Sequence, residues 1–286
     1  RVQPQQWIVD PGDRNLDPLH GHTTHLRLAI EQLAPLLPPV YSEPLPSLQP
    51  PSPVGEGMGE RSTQVYLHSS YLKDWCSAEV KVRQRLDQTM SDTEAWFEGK
   101  VAWLLSQHLP PGTPLFIANS MPVRDVEFFW KPGNTAIKPY FNRGANGIDG
   151  TLSTALGVAH GNQSSVLLTG DLALLHDTNG FLLRNKLVGH LTIIVVNNNG
   201  GGIFEMLPIA QFESVFEEFF ATPQSIDFAQ LCQTYGVGYE LVETWSQLVE
   251  RLNPPPSSGV RVLEVRCDRK ADSAWRRTNL AKFADQ

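Results

Sequence analysis

The sequence predicts an α/β protein with a parallel sheet covered by helices on both faces, preceded by the tail of another α/β domain. Three observations carry this. Apolar runs of strand length alternate with helix-forming segments from about residue 91 onward. Those runs are apolar at nearly every position, as in a sheet buried on both faces, rather than alternating as in a half-solvated one. Several of them end in Asn, Asp and Gly clusters, where ligands collect in parallel sheets.

From the N-terminus, "QQWIVD" (5–10) reads as a short strand, and "HTTHLRLAIEQLAPLL" (22–37) places Leu26, Ile30, Leu33 and Leu37 on one helical face. One strand and one helix cannot enclose a core, so residues 1–40 read as the end of a domain that begins elsewhere. The stretch from Pro38 is dense in Pro, Gly and Ser, which marks 41–62 as a linker. Residues 63–286 then form the main domain, led by a surface helix up to about residue 90. "SDTE" offers Ser91 as N-cap with Glu94 three residues on, a capping box for a helix burying Trp96, Phe97, Val101, Leu104 and Leu105. Strands follow at 115–119, 137–142, 166–171, 191–198 and 260–265, with helices at 150–161, near 178–188 and near 225–235.

Composition narrows the function. The 286 residues are 41% hydrophobic, enough for a sizeable core. The net charge is −7, from 23 basic and 30 acidic residues, with no Lys/Arg-rich run, which argues against nucleic acid as a partner. Cys76, Cys232 and Cys267 are too scattered for a disulfide framework or a zinc knuckle and read as reduced, mostly buried thiols. No stretch approaches the ~20 apolar residues of a membrane span and no signal-peptide core is present, so the chain reads as soluble and cytoplasmic, or plastidic in a plant.

The chemistry concentrates at strand ends: "ANSMPVRD", "NRGANGIDG", "GDLALLHDTNG" and "NNNGGGIF". If the 166–171 and 191–198 strands are neighbours, Asp171 and Asn198 meet at the rim of the sheet. A carboxylate, an amide oxygen and the Gly200 carbonyl are hard donors suited to Mg²⁺. Glycines around them let the backbone approach a diphosphate, and the helix start after Asp177 and Thr178 offers free N–H groups to it. The plain alternatives are a helix-capping Asp171 and an Asn-rich turn. Structural ion pairs are the alternative for Arg124 and Arg143, and a turn cap for Ser120.

"GD" followed 27 positions later by "NN" resembles the diphosphate-binding signature of thiamine diphosphate enzymes, with Leu172 where a third glycine is usual. Together with "NSMPVR", "NRGANGIDG" and "NNNGGGIFEMLP", it is similar to one branch of them, the MenD family of 2-succinyl-5-enolpyruvyl-6-hydroxy-3-cyclohexene-1-carboxylate synthases of menaquinone and phylloquinone synthesis. The resemblance implies that residues 91–286 are the diphosphate-binding domain and residues 1–40 the end of the central domain. It implies a reaction in which the cofactor's ylid attacks 2-oxoglutarate, CO₂ leaves, and the succinyl carbanion equivalent adds to isochorismate. It also implies site roles. Asp171, Asn198 and Gly200 would hold Mg²⁺ or Mn²⁺, with Gly170 beside them at the cofactor. Ile148 would be the wedge that bends thiamine diphosphate. Ser120, Arg124 and Arg143 would receive substrate carboxylates, with Ile203, Phe204 and Leu207 as an apolar wall.

The activating glutamate of such enzymes is expected on a pyrimidine-binding domain not found in these residues, supplied by a partner subunit in a homodimer or homotetramer. Alone, the chain is expected to be inactive and to bind cofactor weakly at best. Two other readings stay open: a different thiamine diphosphate-dependent 2-oxoacid decarboxylase or lyase, which need not carry Arg124 and Arg143, and a non-catalytic module of the same fold. His20, His22 and His25 have no matching metal ligands and read as exposed histidines. The GxGxxG and GxxxxGK[ST] spacings are absent, which removes the simplest dinucleotide and P-loop readings.

Overall fold

Strands that are aliphatic at every position need cover on both faces of their sheet. The computed structural model, which describes Gln6–Val9, Thr23–Leu26 and residues 70–283, supplies that cover. The chain divides into two units, Arg1–Arg61 and Ser62–Gln286.

In the first unit, β1 (Gln6–Val9) pairs in parallel with β2 (Thr23–Leu26), with Gln6 opposite Thr23 and Val9 opposite Leu26. The helix expected from residue 22 is therefore a strand at its start. Thr23 and Thr24 are β-branched and stiff in a helix, and a four-residue parallel partner outweighs the helical spacing of the leucines. His25 lies inside β2; His20, His22, Ile30, Leu33, Leu37 and the Pro-rich stretch lie outside the described residues.

The second unit runs α1 (Ser70–Asp92), α2 (Glu98–His108), β3 (Pro114–Ile117), α3 (Met121–Phe129), β4 (Lys138–Tyr140), α4 (Thr151–Ala159), β5 (Ser165–Gly170) and α5 (Asp171–His176). A 3₁₀ segment (Thr178–Lys186) leads to β6 (His190–Asn197). Short helical turns, including α6 (Glu213–Phe216), precede α7 (Phe228–Tyr235), β7 (Gly238–Leu241), α8 (Trp245–Leu252), β8 (Gly259–Arg266) and α9 (Arg269–Asn279). Six parallel strands lie in the order β4-β3-β5-β6-β8-β7.

Successive residues of a strand face opposite sides of the sheet. Val166, Leu168, Ile194 and Val196 pack with Val101 and Leu105 of α2 and Leu248 of α8. Leu167, Ile193 and Val195 pack with Leu152 and Leu156 of α4 and Phe228 of α7 on the other face. Both faces are closed, as the unbroken apolar runs require. All three cysteines are free; Cys232 is buried, but Cys76 on α1 is exposed. No helix among the described residues is long and apolar enough to cross a membrane.

The capping box at "SDTE" does not form. Ser91 sits in the last turn of α1, and α2 begins only at Glu98, with Phe97 as its N-cap and no side-chain cap bond. Lys100 Nζ donates to the carbonyls of Thr93 (2.6 Å) and Ser91 (3.4 Å), and Thr93 Oγ1 donates back to Thr89 O. These residues therefore finish α1 instead of starting α2.

One feature of the topology decides where ligands can reach. β3 leads through α3 to β4 on one side, whereas β5 leads through α5 to β6 on the other. The winding reverses between β3 and β5, and a crevice opens at the carboxyl ends of strands where that happens.

Candidate active site

A cavity of about 420 Å³ lies at those strand ends. Its wall includes Ser120, Arg124, Arg143, Ile148, Gly170, Asp171, Asn198, Gly200, Ile203 and Phe204. Of the residues singled out in the sequence, Leu207 is not in the wall; it is 49% exposed beyond the 3₁₀ turn at Gly202–Met206. Asp177 and Thr178 do not line the cavity either. Asp177 is occupied elsewhere: its carboxylate accepts from Ser153 N (2.6 Å) and Ser153 Oγ (2.9 Å), pinning the start of α4.

β5 and β6 are paired through Gly170 opposite Val196, which puts Asp171 beside the loop after β6. Asp171 Oδ2 accepts from Gly200 N–H at 2.8 Å. Burial pushes the Asp171 carboxyl up to about 6, against the pull of the N–H groups of Leu172 and Gly200. Asn198 is buried, its Nδ2 donates to Glu98 Oε1, and its Oδ1 is buried without a hydrogen-bond partner. Such an orphaned acceptor is unfavourable unless something electropositive occupies it.

Gly200 O accepts from Gly202 N–H at 3.0 Å and keeps a second lone pair. One carboxylate, one free amide oxygen and one main-chain carbonyl thus belong to residues lining one cavity, a hard-oxygen set that fits a small divalent cation. Among the described residues no three His, Cys, Asp or Glu side chains group as a metal site.

The run "NNNGGG" divides by position. Asn197 Nδ2 donates to Glu264 (2.7 Å), and its Oδ1 accepts from Asn199 N (3.1 Å). Asn199, at φ +56, exchanges hydrogen bonds with Ser225. Gly200 adopts φ +137, and a Cβ there would lie 2.3 Å from Ala221 O. Gly200→Ala is therefore expected to cost about 1–3 kcal/mol of stability from backbone strain alone, measured by urea unfolding; an unchanged midpoint would contradict the loop geometry. Arg269 secures the loop from outside: its Nη1 donates to Asn199 O (3.0 Å), its Nε pairs with Glu205 (3.0 Å), and its Nη2 pairs with Glu217.

The arginines occupy the other elements of the wall. Ser120 sits at φ +72, unusual for a residue with a side chain, and its hydroxyl makes no cap bond to α3. Arg124 Nη1 donates to Ser120 O (2.8 Å) and Arg143 Nη1 to Asn119 Oδ1 (2.9 Å). Neither arginine is in an ion pair among the described residues. Asn119 had no role assigned from sequence. It is buried at the end of β3, and its Nδ2 donates to Gly147 O (2.7 Å), so it ties the loop bearing Arg143 and Ile148 to the sheet.

Fold and rim together define a class. Residues 128–263 match the family model of the C-terminal TPP-binding domain of thiamine pyrophosphate enzymes. The chain is 62% identical over 282 residues to the 2-succinyl-5-enolpyruvyl-6-hydroxy-3-cyclohexene-1-carboxylate synthase of Trichormus variabilis, and 57% identical over 281 residues to that of Trichodesmium erythraeum. These matches cover 99% and 97% of this chain and 44% of each relative, so the chain spans less than half the length of the curated relatives it matches. A solved structure, benzoylformate decarboxylase from Polynucleobacter necessarius, overlaps 60% of this chain and 33% of its own at 20% identity, with a TM-score of 0.47.

Proposed function

We propose that this chain supplies the diphosphate- and metal-binding part of a thiamine diphosphate-dependent synthase that decarboxylates 2-oxoglutarate and adds the succinyl unit to isochorismate. The observation that carries the reading is the unpaired Oδ1 of Asn198 standing with Asp171 and Gly200 in one cavity with two arginines. When bound, the cofactor supplies the electron sink that makes loss of CO₂ from a 2-oxoacid feasible. Asp171, Asn198 and the Gly200 carbonyl hold the Mg²⁺ or Mn²⁺ that anchors the diphosphate. Gly170 and Ile148, which line the same cavity, would hold the cofactor beside it.

Arg124 and Arg143 orient the substrates. A planar guanidinium pairs with a carboxylate through two parallel hydrogen bonds, and both proposed substrates are acids. Nη1 of Arg124 is held by Ser120 O and Nη1 of Arg143 by Asn119 Oδ1, which fixes each side chain while leaving further N–H donors for a substrate. Ile203 and Phe204 keep water away from the reacting centre. The chemistry is completed by a pyrimidine-binding domain, contributed by a second subunit in a homo-oligomer.

The test uses the complete enzyme with 2-oxoglutarate and isochorismate. Arg124→Ala or Arg143→Ala is expected to lower kcat/KM for isochorismate-dependent product about 10–100-fold, the worth of a hydrogen bond to a charged group, with thiamine diphosphate affinity unchanged. Product formation unaffected by both substitutions would assign the arginines to structure and favour another 2-oxoacid lyase.

A further inference from the structure

Below the cavity, four charged side chains from three helices are packed almost out of solvent: Glu98 of α2 (3% exposed), Asp125 of α3 (3%), and Asp272 (3%) and Arg276 (4%) of α9. Burying charge is unfavourable unless each charge is paired. The pairing here runs from helix to helix and ends on Asn198. Asp125 Oδ1 is 2.6 Å from Arg276 Nη2, which is 3.4 Å from Glu98 Oε2. Glu98 Oε1 in turn accepts from Asn198 Nδ2.

The direction of that last bond matters. A primary amide can turn either end toward a neighbour, but a carboxylate paired with an arginine only accepts. Glu98 therefore selects the NH₂ end of Asn198 and leaves Oδ1 unpaired, as observed. Gly202 leaves the amide its space, since a Cβ there would lie 2.6 Å from Asn198 Nδ2. Glu98 and Asn198 both line the cavity.

We propose that Glu98 is a positioning residue: it fixes the Asn198 amide so that its oxygen stays free for the metal, while Arg276, anchored by Asp125, holds Glu98 in place. The inference rests on the cofactor reading above. It also accounts for Asn at position 198. A carboxylate is ordinarily a good Mg²⁺ ligand, but beside Glu98 it would set two acceptors against each other with no proton between them.

Mg²⁺ binding to the complete enzyme, followed by titration calorimetry with thiamine diphosphate present, tests this, with the melting temperature of each protein recorded alongside. Glu98→Gln, whose side chain tolerates either orientation of the Asn198 amide, is expected to weaken Mg²⁺ binding about 10–100-fold, the range for groups that orient metal ligands. Asn198→Asp alone should weaken it too. Adding Glu98→Gln to Asn198→Asp should recover about tenfold, because the glutamine amide can donate to the new carboxylate. A cluster that serves stability alone would lower the melting temperature of Glu98→Gln and leave its Mg²⁺ affinity unchanged. That result, or tighter binding by Asn198→Asp with Glu98 intact, overturns the inference and leaves the cofactor reading standing. Wild-type enzyme that binds no thiamine diphosphate with Mg²⁺ would overturn both.

Discussion

Asp171→Ala in the complete enzyme is expected to abolish retention of thiamine diphosphate and Mg²⁺, with turnover falling in step with cofactor occupancy. Asp171 is the one carboxylate in the proposed ligand set, and it also receives the Gly200 N–H that shapes the loop carrying the other ligands. Removing groups that merely orient a ligand costs roughly 10–100-fold in affinity, so removing the charged ligand should cost more. Calorimetry at pH 8 gives the affinity; binding within threefold of wild type, on the order of RT in free energy, would remove Asp171 from the site.

The same residue predicts a pH dependence. In the metal-free protein burial raises the Asp171 carboxyl to about 6, and the proton must leave before a metal binds. Mg²⁺ affinity should be flat above about pH 7 and fall about tenfold per pH unit below about pH 6. Stability of the metal-free fold moves the other way. A folded pKa raised above its unfolded value contributes stability that is full below about pH 4 and lost as pH rises through about 6.

Arg276→Met should destabilise the domain by about 3–5 kcal/mol, the cost of removing one partner from a buried charge cluster. Arg276 is the only cation in its group of four, and its guanidinium also lies 5.0 Å from the Phe97 ring and 5.5 Å from the Phe129 ring. Burial already pushes Asp125 up to about 7 and Asp272 up to about 9, with Glu98 raising both and Arg276 opposing. Without the arginine the acids must take up more protons, so the penalty should grow from pH 6 to pH 8. Urea unfolding at the two pH values measures it; a loss under about 1 kcal/mol at pH 8 would mean that the acids are neutral without Arg276 and that the cluster is weakly coupled.

The buried centre of this fold was legible because its strands carry their own signal. β5, β6 and β8 begin and end within two residues of the apolar runs that predict them. β7 carries no such run. "GYEL" lies at the sheet edge, opens with a glycine and is nowhere fully buried, so only its pairing with β8 identifies it. The helix α9 is hidden for a different reason. Its buried residues are Asp272, Ser273 and Arg276, and a helix that buries a polar face carries no apolar residues to mark that face. At residues 22 to 26 the local pattern indicated a helix and a pairing partner from residues 6 to 9 decided otherwise.

The site divides in the same way. Asp171, Asn198 and Gly200 announce themselves as polar residues at the ends of apolar strands, and the topology brings those ends together. Glu98 and Asn119 carry no such mark. Glu98 opens a largely buried helix and meets Asn198 from 100 positions away, while Asn119 stands next to the expected Ser120 and works through a loop 28 positions on. An acid at the head of a buried helix was the available signal for Glu98, and its partner became visible only in three dimensions. The family resemblance groups Leu207 with Ile203 and Phe204, yet Leu207 lies just past the 3₁₀ turn that holds those two and is exposed.

The central claim is that Asp171, Asn198 and Gly200 hold the cation that anchors the diphosphate. A crystal structure of the complete enzyme with thiamine diphosphate and Mn²⁺, phased to locate the metal by its anomalous signal, tests it most directly. One Mn²⁺ is expected at about 2.0–2.2 Å from an Asp171 carboxylate oxygen, Asn198 Oδ1 and Gly200 O, with Asn198 Nδ2 still on Glu98. A metal bound away from these three oxygens, or an Asn198 amide turned with its nitrogen toward the metal, would contradict it.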